Sequence, residues 1–237
     1  MSDETIQPYR SLAELHQAAA DAFCECAEQS LASRGVFRVA LSGGSTPKRL
    51  YEMLAERSLN WERIHWFLGD ERNVPLDSLD SNYRMICETL LEPARAPDEN
   101  IHPVFVDLQN PAAAAETYEK TLRTHFPDQT MPAWDLVLLG MGDDSHTASL
   151  FPGTAALDET ERWFVANWVE KLACFRYTLT APAINSAKER WFLVAGKNKK
   201  QAIASVLRGE RSPSHHPSQM IETTRMFVTE DAWTSNE

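Results

Sequence analysis

Basic charge is what this sequence is short of. Of its 237 residues, 34 are Asp or Glu and 23 are Lys or Arg, for a formal net charge of −11. Nucleic acids and anionic membranes are bound through basic faces, so neither is expected as a partner. Long hydrophobic runs are missing too. None approaches the ~20 residues of a membrane span, and the opening MSDETIQPYR lacks the apolar core of a signal peptide. Cysteine is scarce: Cys24, Cys26, Cys87 and Cys174 include no CxxC pair, which rules out a cysteine zinc framework and a disulfide scaffold. Reduced thiols serving as small apolar residues fit a cytoplasmic protein. No Ser/Gly-rich linker, repeat or low-complexity tract divides the chain, so a single domain over residues 1–237 is expected. No apolar stripe is left after the core faces are assigned, so the sequence does not give the oligomeric state; a monomer or weak homo-oligomer is the expectation.

What is present is ordinary globular material, with 43% hydrophobic and 24% charged residues. Ser11 and Glu14 have capping-box spacing, and Leu12, Leu15, Ala19, Ala22, Phe23 and Cys26 then recur near the helical period until Gly35. Val36–Leu41, Ile64–Leu68, Val104–Val106, Trp134–Leu139, Trp163–Val169, Arg176–Thr180, Trp191–Ala195 and Met226–Thr229 read as strands. Helical stretches lie between several of them: one through Leu50, Tyr51 and Leu54, one capped by Ser81, one opened by Pro111, and one from about Lys199 to Leu207. Such alternation predicts an α/β fold with a single open, doubly wound, mostly parallel sheet and helices on both faces. Ligands of these sheets bind beyond the carboxyl ends of the strands. Three polar segments fall there: LSGGSTP, LGDERNVP and GMGDDSHTASLFP.

Each segment has a functional and an ordinary reading. Ser42–Pro47 places two glycines before a helix, where free N–H groups and the helix dipole favour an anion such as phosphate. It also reads as a plain strand-to-helix turn. It is neither a Walker loop, since the final Gly-Lys-Ser/Thr is absent, nor a GxSxG elbow, since the closing glycine is absent. Asp70-Glu71-Arg72 would normally be a solvated charge cluster, but it directly follows an apolar strand, where carboxylates can orient a base and an arginine can bind an oxyanion. Gly140-Met141-Gly142 lacks the third glycine of a dinucleotide fingerprint, Ser145 standing in its place. His146 follows Asp144 by two residues, an arrangement that suits a general base with a carboxylate fixing its tautomer and equally suits a helix-capping histidine.

Taken in order, Ser42–Pro47 (SGGSTP), Asp70–Arg72 (DER), Ser81-Asn82, Gly140–Pro152 (GMGDDSHTASLFP), Arg176–Thr180 (RYTLT), Ile184-Asn185 and Gly196 with Lys199 resemble the 6-phosphogluconolactonase family. The pieces span most of the chain. The resemblance implies a fold shared with glucosamine-6-phosphate deaminases and ribose-5-phosphate isomerases. It also implies hydrolysis of 6-phosphoglucono-δ-lactone, the second step of the oxidative pentose phosphate pathway, with no cofactor or metal. On that resemblance His146 is the general base, Asp144 and Asp70 orient or tune it, and Arg72 stabilises charge or positions the sugar acid. Ser42, Gly43, Gly44, Ser45 and Thr46 would hold the phosphate, with Arg84, Arg176 and Lys199 assisting. The chain departs from the family where Ser145 replaces the usual glycine of Asp-Gly-His. If that position needs positive φ, serine costs about 1 kcal/mol or somewhat more. The related isomerase-deaminases carry a glutamate five residues after the histidine; here Phe151 stands there.

Overall fold

The computed structural model describes residues 5–233. The first four residues of the polar opening and the last four of the tail lie outside them. Strand β1 (Ile6–Tyr9) precedes helix α1 (Leu12–Arg34), which begins where Ser11 Oγ accepts the Glu14 N–H and ends at Gly35 with φ +72°. Then follow β2 (Phe37–Leu41), α2 (Ser45–Ala55), β3 (Ile64–Leu68), β4 (Asp70–Arg72) and α3 (Asn82–Ile86), which widens into a π-helical turn over Cys87–Leu91. The chain continues through β5 (Ile101–His102), α4 (Pro111–His125), β6 (Leu136–Leu139), β7 (Phe164–Val169) and β8 (Cys174–Leu179). It closes with α5 (Ala181–Asn185), β9 (Glu189–Val194), α6 (Lys200–Arg208) and β10 (Arg225–Thr229).

Seven strands form one parallel sheet in the order β1-β10-β9-β6-β2-β3-β5. Its central strands are buried on both faces, as the successive pairs Val39 and Ala40, Trp66 and Phe67, and Leu138 and Leu139 show, and this is why they read as continuous apolar runs rather than as alternation. The expected doubly wound architecture is thus observed. The strand order reverses at β2, whose neighbours are β3 on one side and β6 on the other. A crevice opens at such a reversal. The loops after β2 and β6, Ser42–Gly44 and Gly140–Ser149, border it.

Three expectations about strands are corrected. Asp70–Arg72 is a strand rather than a loop, and β7 and β8 leave the main sheet. Together they make a second, antiparallel sheet in the order β4-β8-β7, with Asp70 opposite Thr178 and Arg72 opposite Arg176. Val104–Val106 forms no strand; β5 stops at His102, and Val104 is buried from an extended loop. β1 went unforeseen because IQPY mixes polar residues with a proline, which only an edge strand tolerates. The two sheets are joined at Gly69: its N–H donates to Leu41 O at 2.8 Å, and its carbonyl accepts from Leu179 N at 2.8 Å.

Candidate active site

A cavity of about 260 Å³ lies at the strand-order reversal. Its walls come from Ser42–Pro47, from Asp70 and Arg72 on β4, from Asn82 at the start of α3, from Gly140–Gly142 with His146, and from Lys199. Five separated sequence segments therefore converge on one space.

The Ser42–Pro47 wall is rigidly held from behind. The Tyr51 hydroxyl donates to Ser42 O at 2.8 Å and accepts from Ser42 N at 3.1 Å, while His16 of α1 meets Thr46 O at 2.8 Å. Gly44 caps α2 with φ +108° and supplies no side-chain acceptor, so the first N–H groups of the helix remain available to a ligand. Gly43 is required by space: a Cβ there would lie 1.9 Å from Asn82 Oδ1. Asn82 in turn donates to Asp70 O at 3.1 Å, tying this wall to β4.

The opposite wall carries the histidine. His146 Nδ1 lies 2.5 Å from Asp144 Oδ1, and Lys171 Nζ donates to Asp144 Oδ2 at 2.9 Å. Burial works against ionisation of Asp144, but the hydrogen bonds from Lys171 and His146 outweigh it and hold the carboxyl at about 2. An ionised carboxylate only accepts, so Nδ1 carries the proton and donates it. In the neutral ring Nε2 is then the bare, basic nitrogen. Gly142 makes room for this pair: a Cβ there would fall 2.0 Å from His146 Nδ1. On its other side the His146 ring stacks on Phe151, centroids 4.1 Å apart and planes inclined by 21°. The segment forms a tight turn rather than a helix, so His146 is not a helix cap.

Asp70 stands further back. It accepts from Ser149 Oγ at 2.8 Å. Burial raises its pKa; the Ser149 hydrogen bond and the charges of Arg72, His146 and Arg176 pull the other way. Between the two carboxylates, Asp144 is the one bonded to the imidazole.

The remaining cations divide. Arg72 and Lys199 line the cavity, and Arg72 also donates to Asp80 O at 2.8 Å. Arg84 does not reach it. Two residues beyond Asn82, Arg84 is rotated by about 200° around α3, and it donates instead to Glu88 Oε1 at 2.7 Å and Asp77 O at 2.6 Å. Arg176 stays off the cavity wall as well. It sits directly opposite Arg72 in the β4–β8 ladder, where like charges push apart, and Arg72 takes the lining position.

Sequence reasoning missed Lys171, which no motif links to an aspartate 27 residues upstream. It also missed the role of Glu71. That carboxylate is fully buried and accepts from Asn82 N and Tyr83 N at 2.8 Å, Arg72 N at 2.7 Å and Ser81 Oγ at 3.1 Å. The anticipated strain at Ser145 is present: φ is +65°, its carbonyl accepts from Ser218 N and Ser218 Oγ at 3.0 and 2.8 Å, and its hydroxyl lies 3.2 Å from His216 Nδ1.

The chain is 44% identical over 196 residues to the 6-phosphogluconolactonase of a Synechocystis species, covering 82% of this chain and 81% of that protein. It is 39% identical over 190 residues to the 6-phosphogluconolactonase of Thermotoga maritima, covering 79% and 82%. Among solved structures, the 6-phosphogluconolactonase from Trypanosoma cruzi superposes with a TM-score of 0.87 at 29% identity, covering 96% of this chain and 95% of that one. The model of the family glucosamine-6-phosphate isomerases/6-phosphogluconolactonase matches residues 10–232, and with nearly the whole chain accounted for, this protein belongs to that family.

Proposed function

We propose that this protein hydrolyses 6-phosphoglucono-δ-lactone to 6-phosphogluconate, with His146 activating the attacking water. The observation that carries the choice between the family's two activities is the His146–Phe151 stack. An isomerase-deaminase needs an ionisable group at that position to open and close the sugar ring. A phenyl ring can move no proton, whereas lactone hydrolysis needs only the histidine.

The phosphate is held by the N–H groups and hydroxyls of Ser42–Thr46 at the uncapped start of α2, with Lys199 beside them. That remote grip fixes the lactone carbonyl near His146. Nε2 takes a proton from water as its oxygen adds to the carbonyl carbon, and the proton on Nδ1 stays in its bond to Asp144. The imidazolium so formed is stabilised by Asp144, as Arg72 stabilises the oxyanion. Collapse of the tetrahedral intermediate breaks the bond from carbonyl carbon to ring oxygen. Protonated Nε2 returns its proton to that oxygen, leaving a hydroxyl and a carboxylic acid, which ionises.

The test is hydrolysis of freshly generated lactone, with the spontaneous rate subtracted. Wild type exceeds that rate, and His146→Ala loses about 10²–10⁴-fold, the usual worth of a general base. If neither protein exceeds the blank, the lactonase reading fails. If His146→Ala matches wild type, the histidine's role fails alone. Ammonia release from glucosamine-6-phosphate is expected to be absent.

A further inference from the structure

Three imidazoles that the hydrolysis does not use meet at the other end of the main sheet. His65 is the second residue of β3, His102 ends β5, and His125 ends α4. From His65 to Asp70 the chain advances about 16 Å at roughly 3.3 Å per residue, so the cluster and the cavity occupy opposite ends of the strand. α4 runs back between two parallel strands, which returns its last turn to their amino ends. Phe67 lies on the same face of β3 as His65 and forms the floor, its ring centroid 4.4 Å from His102 and 5.3 Å from His125.

One ring nitrogen from each histidine falls within 4.8 Å of the other two. His65 Nδ1 and His102 Nε2 are already 3.2 Å apart. Two nitrogens bound at about 2.0–2.1 Å to a tetrahedral ion stand at nearly that separation. His125, half-buried, makes no side-chain hydrogen bond to the protein among the described residues, and its ring centroid is 4.1 Å from that of His102. Burial lowers all three pKa values, His65 to about 4 and His102 to about 3, which favours the neutral ring that a metal needs. Among the described residues Arg38 is the one charged side chain acting on the group, and it opposes a cation. The carboxyl end of the fifteen-residue α4 favours one. Three nitrogen donors without a carboxylate do not suit calcium or magnesium; they suit zinc and its borderline neighbours.

We propose that His65, His102 and His125 form a binding site for a divalent transition-metal ion of the zinc type, clasping edge strand β5 to β3 and to the end of α4. The clasp has a structural use, because β5 is joined to the sheet through only two residue pairs, Trp66–Ile101 and Phe67–His102. The site is independent of the lactone chemistry.

Zinc titrated into the full chain by calorimetry tests it, with melting temperature as the second readout. The expected result is one strong zinc site per chain and a melting temperature raised by zinc. His65→Gln and His125→Gln each weaken binding by at least about tenfold, a loss that removal of even an outer-shell partner brings, and abolish the shift in melting temperature. His146→Ala leaves zinc binding intact, which separates this site from the His146–Asp144 pair. Cobalt substituted for zinc gives the visible absorption of a nitrogen-ligated tetrahedral ion, lost in the same two variants. No zinc binding by wild type, unchanged affinity in both glutamine variants, or loss of binding in His146→Ala overturns the proposal. His125 closes a helix and is half-exposed, so its variant carries the test if the His65 variant does not fold.

Discussion

Ser145 occupies a left-handed backbone position, which an L-residue with a Cβ enters at a cost of about 1–2 kcal/mol. Its hydroxyl recovers part of that through His216, about 1 kcal/mol for a typical hydrogen bond. Ser145→Gly removes both effects and is expected to stay within about 1 kcal/mol of wild type with lactone hydrolysis retained. Ser145→Ala keeps the strain and loses the bond, so it should be less stable than the glycine variant by about 1 kcal/mol in urea unfolding. A large fall in kcat for the glycine variant at normal stability would instead give the hydroxyl a role of its own. Asp144 makes a second prediction. Its native pKa, about 2, lies below the ordinary value of 3.8, so the unfolded chain takes up the proton first. Its contribution to stability is full above about pH 4 and is lost as pH falls through about 2. Lys171→Met removes one of the three donors that hold the carboxylate ionised, the others being His146 Nδ1 and the His146 N–H. The carboxyl resonance of Asp144 should then titrate at higher pH, narrowing that window from the acid side. A resonance that does not move would mean that His146 alone sets the pKa.

At the level of elements, Glu71 joins β4 to α3. It accepts from the backbone of Asn82 and Tyr83 and from Ser81 Oγ, closing the start of a five-residue helix that bears the cavity residue Asn82. Glu71→Ala strands several buried donors and should cost about 2–4 kcal/mol, measured by chemical unfolding, and it should raise KM because Arg72 and Asn82 lose their common anchor. The alternation of parallel strands and helices was legible in the sequence because central strands buried on both faces are unbroken apolar runs. So were the Ser42–Pro47 loop and the Asp144–His146 pair, whose partners lie within a few residues of one another. The second sheet was not. DER looks like a solvated turn, and only pairing with β8, about a hundred residues away, makes it a strand. For the same reason Arg84 and Arg176 could be named from motifs but not placed: helix rotation turns the first away from the cavity, and the second stands opposite Arg72, which takes the lining position. Lys171 reaches Asp144 only through the β7–β8 turn, which short-range spacing does not reveal.

Over the whole molecule the acidic excess and an anionic substrate are reconciled locally. The net charge of −11 is spread over the surface, whereas the cavity holds Arg72, Lys199 and the positive end of α2. This basin is smaller than motifs alone suggested, with two lining cations in place of four. Added salt should raise KM for the phosphorylated lactone by screening it, and only modestly. A KM that falls or stays constant between low and physiological ionic strength would contradict the basin. Among the described residues no helix is long and apolar enough to cross a membrane.

The pairing of β1 with β10, from Ile6 opposite Met226 to Tyr9 opposite Thr229, has a bearing on how the chain is made. Among the described strands β1 leaves the ribosome first, yet its neighbour in the sheet is β10, the last of them to be synthesised. At about 5–20 residues per second, roughly ten seconds or more separate the two. Throughout that interval β1 has nothing to pair with, and β9, once made, presents an open edge until β10 follows it, so this side of the sheet is finished only after translation has passed Thr229.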